Sequence, residues 1–133
     1  MRYVFLIYLD EDDLPDEGTP ELADEWTRYD SFTRETGDRD MFETADALQP
    51  AGTATTLRVR QGDLLVTDGP FTETKEQLAG FYVLHCDDLD EALALAARIP
   101  AARHGSIEVR PVIEYGLARD PDFLEEARAS GRR

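Results

Sequence analysis

The chain has one cysteine, one lysine, one tryptophan and two histidines among its 133 residues. Each scarcity narrows the field. A single thiol, Cys86, cannot form a disulfide within the chain, which fits a cytoplasmic protein. With so few histidines and cysteines, no Cys-rich or His-rich metal motif can be assembled, and neither a metal nor another cofactor is expected. Long apolar runs are missing too. The longest, Tyr3 to Leu9, is far short of the roughly 20 residues a membrane span requires. It meets Asp10-Glu11-Asp12-Asp13 at once and has no small-residue cleavage site, so it reads as a strand and not a secretion signal. Basic residues are sparse, 14 against 29 acids, for a net charge of −15. Such a surface repels phosphate backbones and anionic lipid, which excludes direct nucleic-acid binding and disfavours a membrane partner.

What is present suffices for one folded domain. The chain is 41% hydrophobic, enough for a core despite the charge. The acidity is uneven: residues 1–50 hold 15 acids and 4 bases. Thirteen of the 14 bases are Arg, and Lys75 stands alone.

Apolar residues at nearly every position of 3–9 predict a strand covered on both faces. Thr19-Pro20 is an N-cap followed by proline at the first helical position, and Leu22, Trp26 and Tyr29 then recur at helical spacing. That helix closes near Gly37. A weaker strand is expected over 41–48. Residues 53–60 and 64–67 form a hairpin about Gln61-Gly62-Asp63. Thr74 and Gln77 have the spacing of a capping box for a short helical turn. A strand over 80–86 follows, then a helix from Asp88 with Leu89, Leu93, Ala96 and Ile99 on one face, stopped by Pro100. A last strand spans 106–115, where Pro111 indicates an edge or an irregularity, and an acidic-to-basic terminal helix is expected over 121–130.

This order predicts an α+β, ferredoxin-like antiparallel sheet with helices on one face. Two helices cover one sheet face, and a second copy of the sheet is the simplest cover for the other. A homodimer through sheet faces follows, with an unknown small molecule held between sheet and loops.

Two segments carry candidate chemistry. In Asp68-Gly69-Pro70-Phe71-Thr72-Glu73-Thr74-Lys75-Glu76, turn-forming residues are followed by two acids and the lone lysine. The bland reading is a turn and a cap. The functional one gives Asp68 a catalytic role and makes Glu73 and Lys75 ligand-binding groups. In His104-Gly105-Ser106-Ile107-Glu108-Val109-Arg110, His104 sits in a loop where imidazole could move a proton, or could simply cap. Glu108 and Arg110 share one strand face and are further ligand-binding candidates, or a structural pair. His85-Cys86-Asp87-Asp88 looks like a ligand row, but adjacent strand residues point to opposite faces, and an aspartate there serves better as a helix cap.

The run Val66-Thr67-Asp68-Gly69-Pro70-Phe71-Thr72-Glu73-Thr74-Lys75-Glu76-Gln77-Leu78-Ala79-Gly80-Phe81-Tyr82 resembles the signature of YCII-related proteins of the DGPF type. Arg2 to Tyr8, Leu48-Gln49-Pro50, Asp88 to Ala92, Ile99-Pro100 and Gly105 to Pro111 fit as well, so the resemblance covers about residues 1–113. It implies a dimeric α/β barrel of ferredoxin-like subunits, with a domain over 1–115 and an extension over 116–133. It also implies an unsettled function, with a link to extracytoplasmic-function sigma factors. Distant relatives use a His–Asp pair whose histidine would fall on the first helix. This chain has Glu25 and Trp26 there, so that pair is not carried over. Three readings follow: a small-molecule-binding or regulatory module; a cofactor-free lyase or isomerase with His104 as acid–base; or an acidic protein-interaction module.

Overall fold

The computed structural model describes residues 1–114 and the positions Asp122, Glu125 and Ala129. The terminal helix expected over 121–130 and the extension from 116 fall almost wholly outside the described residues.

Within residues 1–114, six strands and two α-helices follow in the order β1 (Arg2–Leu9), α1 (Pro20–Asp38), β2 (Phe42–Ala47), β3 (Thr55–Arg60), β4 (Asp63–Asp68), β5 (Gln77–His85), α2 (Leu89–Ala96) and β6 (Ser106–Pro111). Four strands form one antiparallel sheet in the order β2-β5-β1-β6. With β3–β4 set aside, this is the ferredoxin-like topology, two β-α-β units with the first and third core strands at the centre. The β3–β4 hairpin is inserted between the second and third core strands and pairs only with itself. Its two-residue loop places Gln61 and Gly62 at φ 52° and 81°, the left-handed pair that matches strand twist.

β1 alternates, contrary to the expected two-sided burial. Tyr3, Phe5, Ile7 and Leu9 are buried, while Arg2, Val4, Leu6 and Tyr8 are only half-buried. The reason is that both helices pack on one face, which leaves the other accessible in a single chain. The core joins those four residues to Tyr82 and Leu84 of β5, Phe32 of α1 and Ala92, Leu95 and Ile99 around α2. Removing a fully buried residue such as Phe5 would cost roughly 3–5 kcal/mol. Phe32 meets Tyr82 edge-on, with centroids 5.2 Å apart.

The helix starts follow the sequence. Thr19 Oγ1 accepts the Leu22 amide, and Asp88 Oδ1 accepts the Glu91 amide, caps worth about 1 kcal/mol each. The buried stripe of α2 is rotated from the expected one. Ala92, Leu95, Ala96 and Ile99 face the core, whereas Leu89 and Leu93 are about half exposed. Small alanines let the short helix sit close to the sheet, and that turns the leucines outward. The helical turn expected at Thr74–Gln77 is not formed. Gln77 opens β5, and its side-chain Nε2 donates to the Thr72 and Thr74 carbonyls, while Thr74 Oγ1 donates to the Glu76 carbonyl. The same spacing that suits a capping box here ties a loop to a strand. Pro111 ends β6 on the sheet edge, where a missing amide costs no ladder bond. No helix among the described residues is long and apolar enough to cross a membrane.

Candidate functional site

A concavity under α1 grows from where small residues fall. α1 closes onto the sheet through its C-terminal half, where Phe32 and Thr36 are buried. Its N-terminal half stands over a floor of Ala45 and Ala47 on β2 and Ala79 and Gly80 on β5. Short side chains there cannot fill the gap beneath the helix, and a cleft of about 450 Å³ results. Leu14, Leu22, Trp26 and Tyr29 wall one side, and Ile7, Leu9 and Tyr82 form the back. The size and mostly apolar lining are those of a small-molecule site.

The polar groups on this wall are few. Tyr82 Oη and Thr33 Oγ1 are 2.8 Å apart and share one hydrogen bond. Burial pushes the Tyr29 phenol up to about 12; the Glu25 carboxylate adds to the shift, and a hydrogen bond with the Ala101 backbone opposes it. Burial also raises the Tyr82 phenol, against its hydrogen bond with Thr33. Asp30 carries an Arg34 partner at 2.9 Å on the exposed side of α1. Glu25 is the carboxylate enclosed on this wall, its side chain 19% exposed, and its Oε1 lies 3.5 Å from His104 Nε2.

The six residues singled out from sequence occupy different places. His104 follows the short 3₁₀ segment Pro100–Arg103 and turns toward Glu25 on α1. Asp68 ends β4 on the hairpin and is exposed. Glu73 and Lys75 are exposed on the loop before β5. None of these last three forms an ion pair or side-chain hydrogen bond with another described residue. Glu108 and Arg110 lie side by side on the uncovered face of β6, 3.7 Å apart. None of the six lines the cleft.

The Asp68-Gly69-Pro70-Phe71 run has a visible structural task. Gly69, at φ 99°, makes the left-handed turn at the hairpin base. Its amide donates to the Ala54 carbonyl at 2.7 Å, and its own carbonyl accepts Thr56 Oγ1 at 2.8 Å. Farther along, Ser106 Oγ donates to Glu76 Oε1 at 2.8 Å. The two candidate segments therefore do meet, but through Ser106 and Glu76. Both lie at the end of the sheet where Leu9 pairs with Gln77 and Tyr8 with Ser106.

The His85-Cys86-Asp87-Asp88 row diverges, as strand alternation requires. His85 Nε2 sits 3.1 Å from Glu43 Oε1 on the uncovered face, Cys86 is buried and Asp88 caps α2. Burial pushes the Cys86 thiol up to about 11, so it is a poor nucleophile. Arg2 completes a network on that face, binding Glu43 at 2.8 Å and Glu114 at 3.0 Å.

Sequence reasoning missed Trp26, Tyr29 and Glu25 as site residues. Trp26 and Tyr29 read as a core stripe, yet Trp26 is 55% exposed and its ring lies 6.1 Å from that of Tyr29. A usable signal was the small-residue floor, Ala45, Ala47, Ala79 and Gly80, on strands facing a helix of large side chains.

A family model described as YCII-related domain matches residues 1–116. A protein of Rhizobium meliloti (strain 1021), itself described as uncharacterized, is 51% identical over 70 residues, covering 51% of this chain and 56% of that relative. The chain thus spans little more than half the length of the curated relative it matches.

Proposed function

The chain belongs to the YCII-related domain family, and from that membership we propose that it is a small-molecule-binding module acting as a homodimer. The observation that carries the binding reading is the cleft of about 450 Å³ under α1, apolar in its floor and carrying few polar groups. The homodimer is supported by the uncovered sheet face, where Val4, Leu6, Tyr8, Phe81 and Val83 remain half-buried without a layer above them. A second copy would cover that face with its own. A buried, unpaired Cys86 suits a cytoplasmic setting. The regulatory use implied by the sigma-factor link would act through ligand-dependent contacts and not through nucleic acid, given the net charge of −15.

A thermal-shift screen of small metabolites tests the binding reading. A hit should raise the melting temperature, come back chemically unchanged by mass spectrometry, and lose its effect in Ala45→Leu, which fills the floor. Hits that persist in Ala45→Leu would move the site elsewhere. Light scattering tests the dimer: the wild type should have twice the chain mass and Leu6→Glu the monomer mass.

A second reading, a cofactor-free lyase or isomerase, is favoured by the His104–Glu25 pair at 3.5 Å. In it His104 moves the proton and Glu25, not Asp68, orients the ring. Recovery of a converted product in the same screen, lost in His104→Ala, would select it.

A further inference from the structure

We propose that the cleft under α1 selects organic cations, an apolar or aromatic body carrying an ammonium group, over neutral and anionic molecules of the same shape. This rests on the cleft being a ligand site, and it adds the class of ligand. Three features of the wall point the same way. First, the carboxylate of Glu25 stands on it, and none of its residues is Lys, Arg or His. An anionic ligand would find no side-chain cation lining the cavity. Second, Trp26 and Tyr29 stand beside Glu25 on α1, their rings 6.1 Å apart and tilted by 48°. The indole on the wall of this apolar cleft is 55% exposed, and indole is the strongest cation–π partner among side chains. Third, the surrounding charge agrees. Residues 1–50, which supply most of the wall, hold 15 acids and 4 bases. Such a field concentrates cations at the mouth and repels anions.

The polar partners already in place leave room for this. Tyr82 and Thr33 satisfy each other. Asp30 is neutralised by Arg34. Glu25 has one 3.5 Å contact, to His104 Nε2, on one of its two oxygens. The second oxygen is available for an ammonium donor while the ligand's apolar part rests on Ala45, Ala47 and Ala79. The volume of about 450 Å³ is ample for a ring and a short alkyl chain.

Trp26, the one tryptophan of the chain, makes its fluorescence a local reporter. The test titrates three probes of one carbon skeleton: 3-phenylpropylamine, 3-phenylpropanol and 3-phenylpropanoate. The amine should bind most tightly and the carboxylate least, with a ratio of about tenfold or more between them. In Glu25→Gln that ratio should fall to a few-fold while the affinity for the alcohol stays constant. Rising salt should weaken the amine and leave the alcohol alone. Calorimetry on Trp26→Leu, which removes the reporter, should show the amine losing more affinity than the alcohol. If the alcohol or carboxylate binds as well as the amine, cation selection is overturned while the cleft stands as a ligand site. If none of the three binds at millimolar concentration, the cleft itself is not a ligand site, and both readings fall.

Discussion

His104 Nε2 lies 3.5 Å from Glu25 Oε1, so the loop before β6 turns toward α1. The pair joins the rim of the cleft to the segment that leads into the edge strand. Its side chains are 33% and 19% exposed, so solvent partly screens the contact.

A double-mutant cycle should therefore find coupling between positions 25 and 104 and none between 68 and 104. Glu25→Gln with His104→Ala should couple by up to about 1 kcal/mol in chemical denaturation. Asp68→Ala with His104→Ala should be additive. Coupling in the second cycle would restore Asp68 as the partner of His104.

Two glycines are expected to be intolerant and a third tolerant, for reasons of space. A Cβ at Gly105 would drive into the Tyr8 carbonyl, and one at Gly80 would fall 2.8 Å from the Asp46 carbonyl. Both obstacles are backbone, so each Ala variant should lose on the order of 2–3 kcal/mol. Gly37, inside α1 with open space around its Cβ direction, should gain roughly 0.5–1 kcal/mol as Ala. Urea denaturation of the three variants measures all of this.

Cys86 should react slowly with iodoacetamide while the chain is folded. It is 3% exposed, and burial holds its thiol up at about 11. At pH 8 the folded protein should be alkylated at least about tenfold more slowly than the urea-unfolded chain, since only thiolate reacts. Equal rates would mean that the strand end at His85 opens readily.

Alkaline stability should report on Tyr29. Its phenol is raised from near 10 to about 12, so the folded chain holds that proton more tightly than the unfolded chain. Below pH 10 both forms keep it and the contribution is complete. Between pH 10 and 12 only the unfolded chain releases it, so the melting temperature should fall as pH rises. Tyr29→Phe should flatten that part of the curve, and Tyr82→Phe should do so to a lesser degree, since its phenol is shifted in the same direction.

Much of the fold was legible because its signals are local. Thr19-Pro20 and Asp88 act as the caps they resemble, and Gln61-Gly62 makes the hairpin loop. The order of elements sufficed for the sheet plan. The site was less legible because it depends on what is missing. A cleft forms where Ala45, Ala47, Ala79 and Gly80 meet across two strands under a helix, and no single residue in that set has chemistry to notice. The Asp68 to Lys75 run attracted attention through its charges, yet the contacts of that region belong to Gly69, Thr74, Glu76 and Gln77, which hold a turn and a loop. Periodicity also misjudged α2, because Leu89 and Leu93 look like core residues, yet the buried face is the one that carries Ala92, Leu95 and Ala96.

Chemical-shift mapping on the isotopically labelled protein with 3-phenylpropylamine tests the location of the site most directly. The perturbed signals should cluster on the Trp26 indole and on the amides of Tyr29, Ala45, Ala47 and Ala79. Perturbations centred instead on residues 68–75 and 104–110, with the Trp26 indole unmoved, would contradict a ligand site under α1 and return it to the loops.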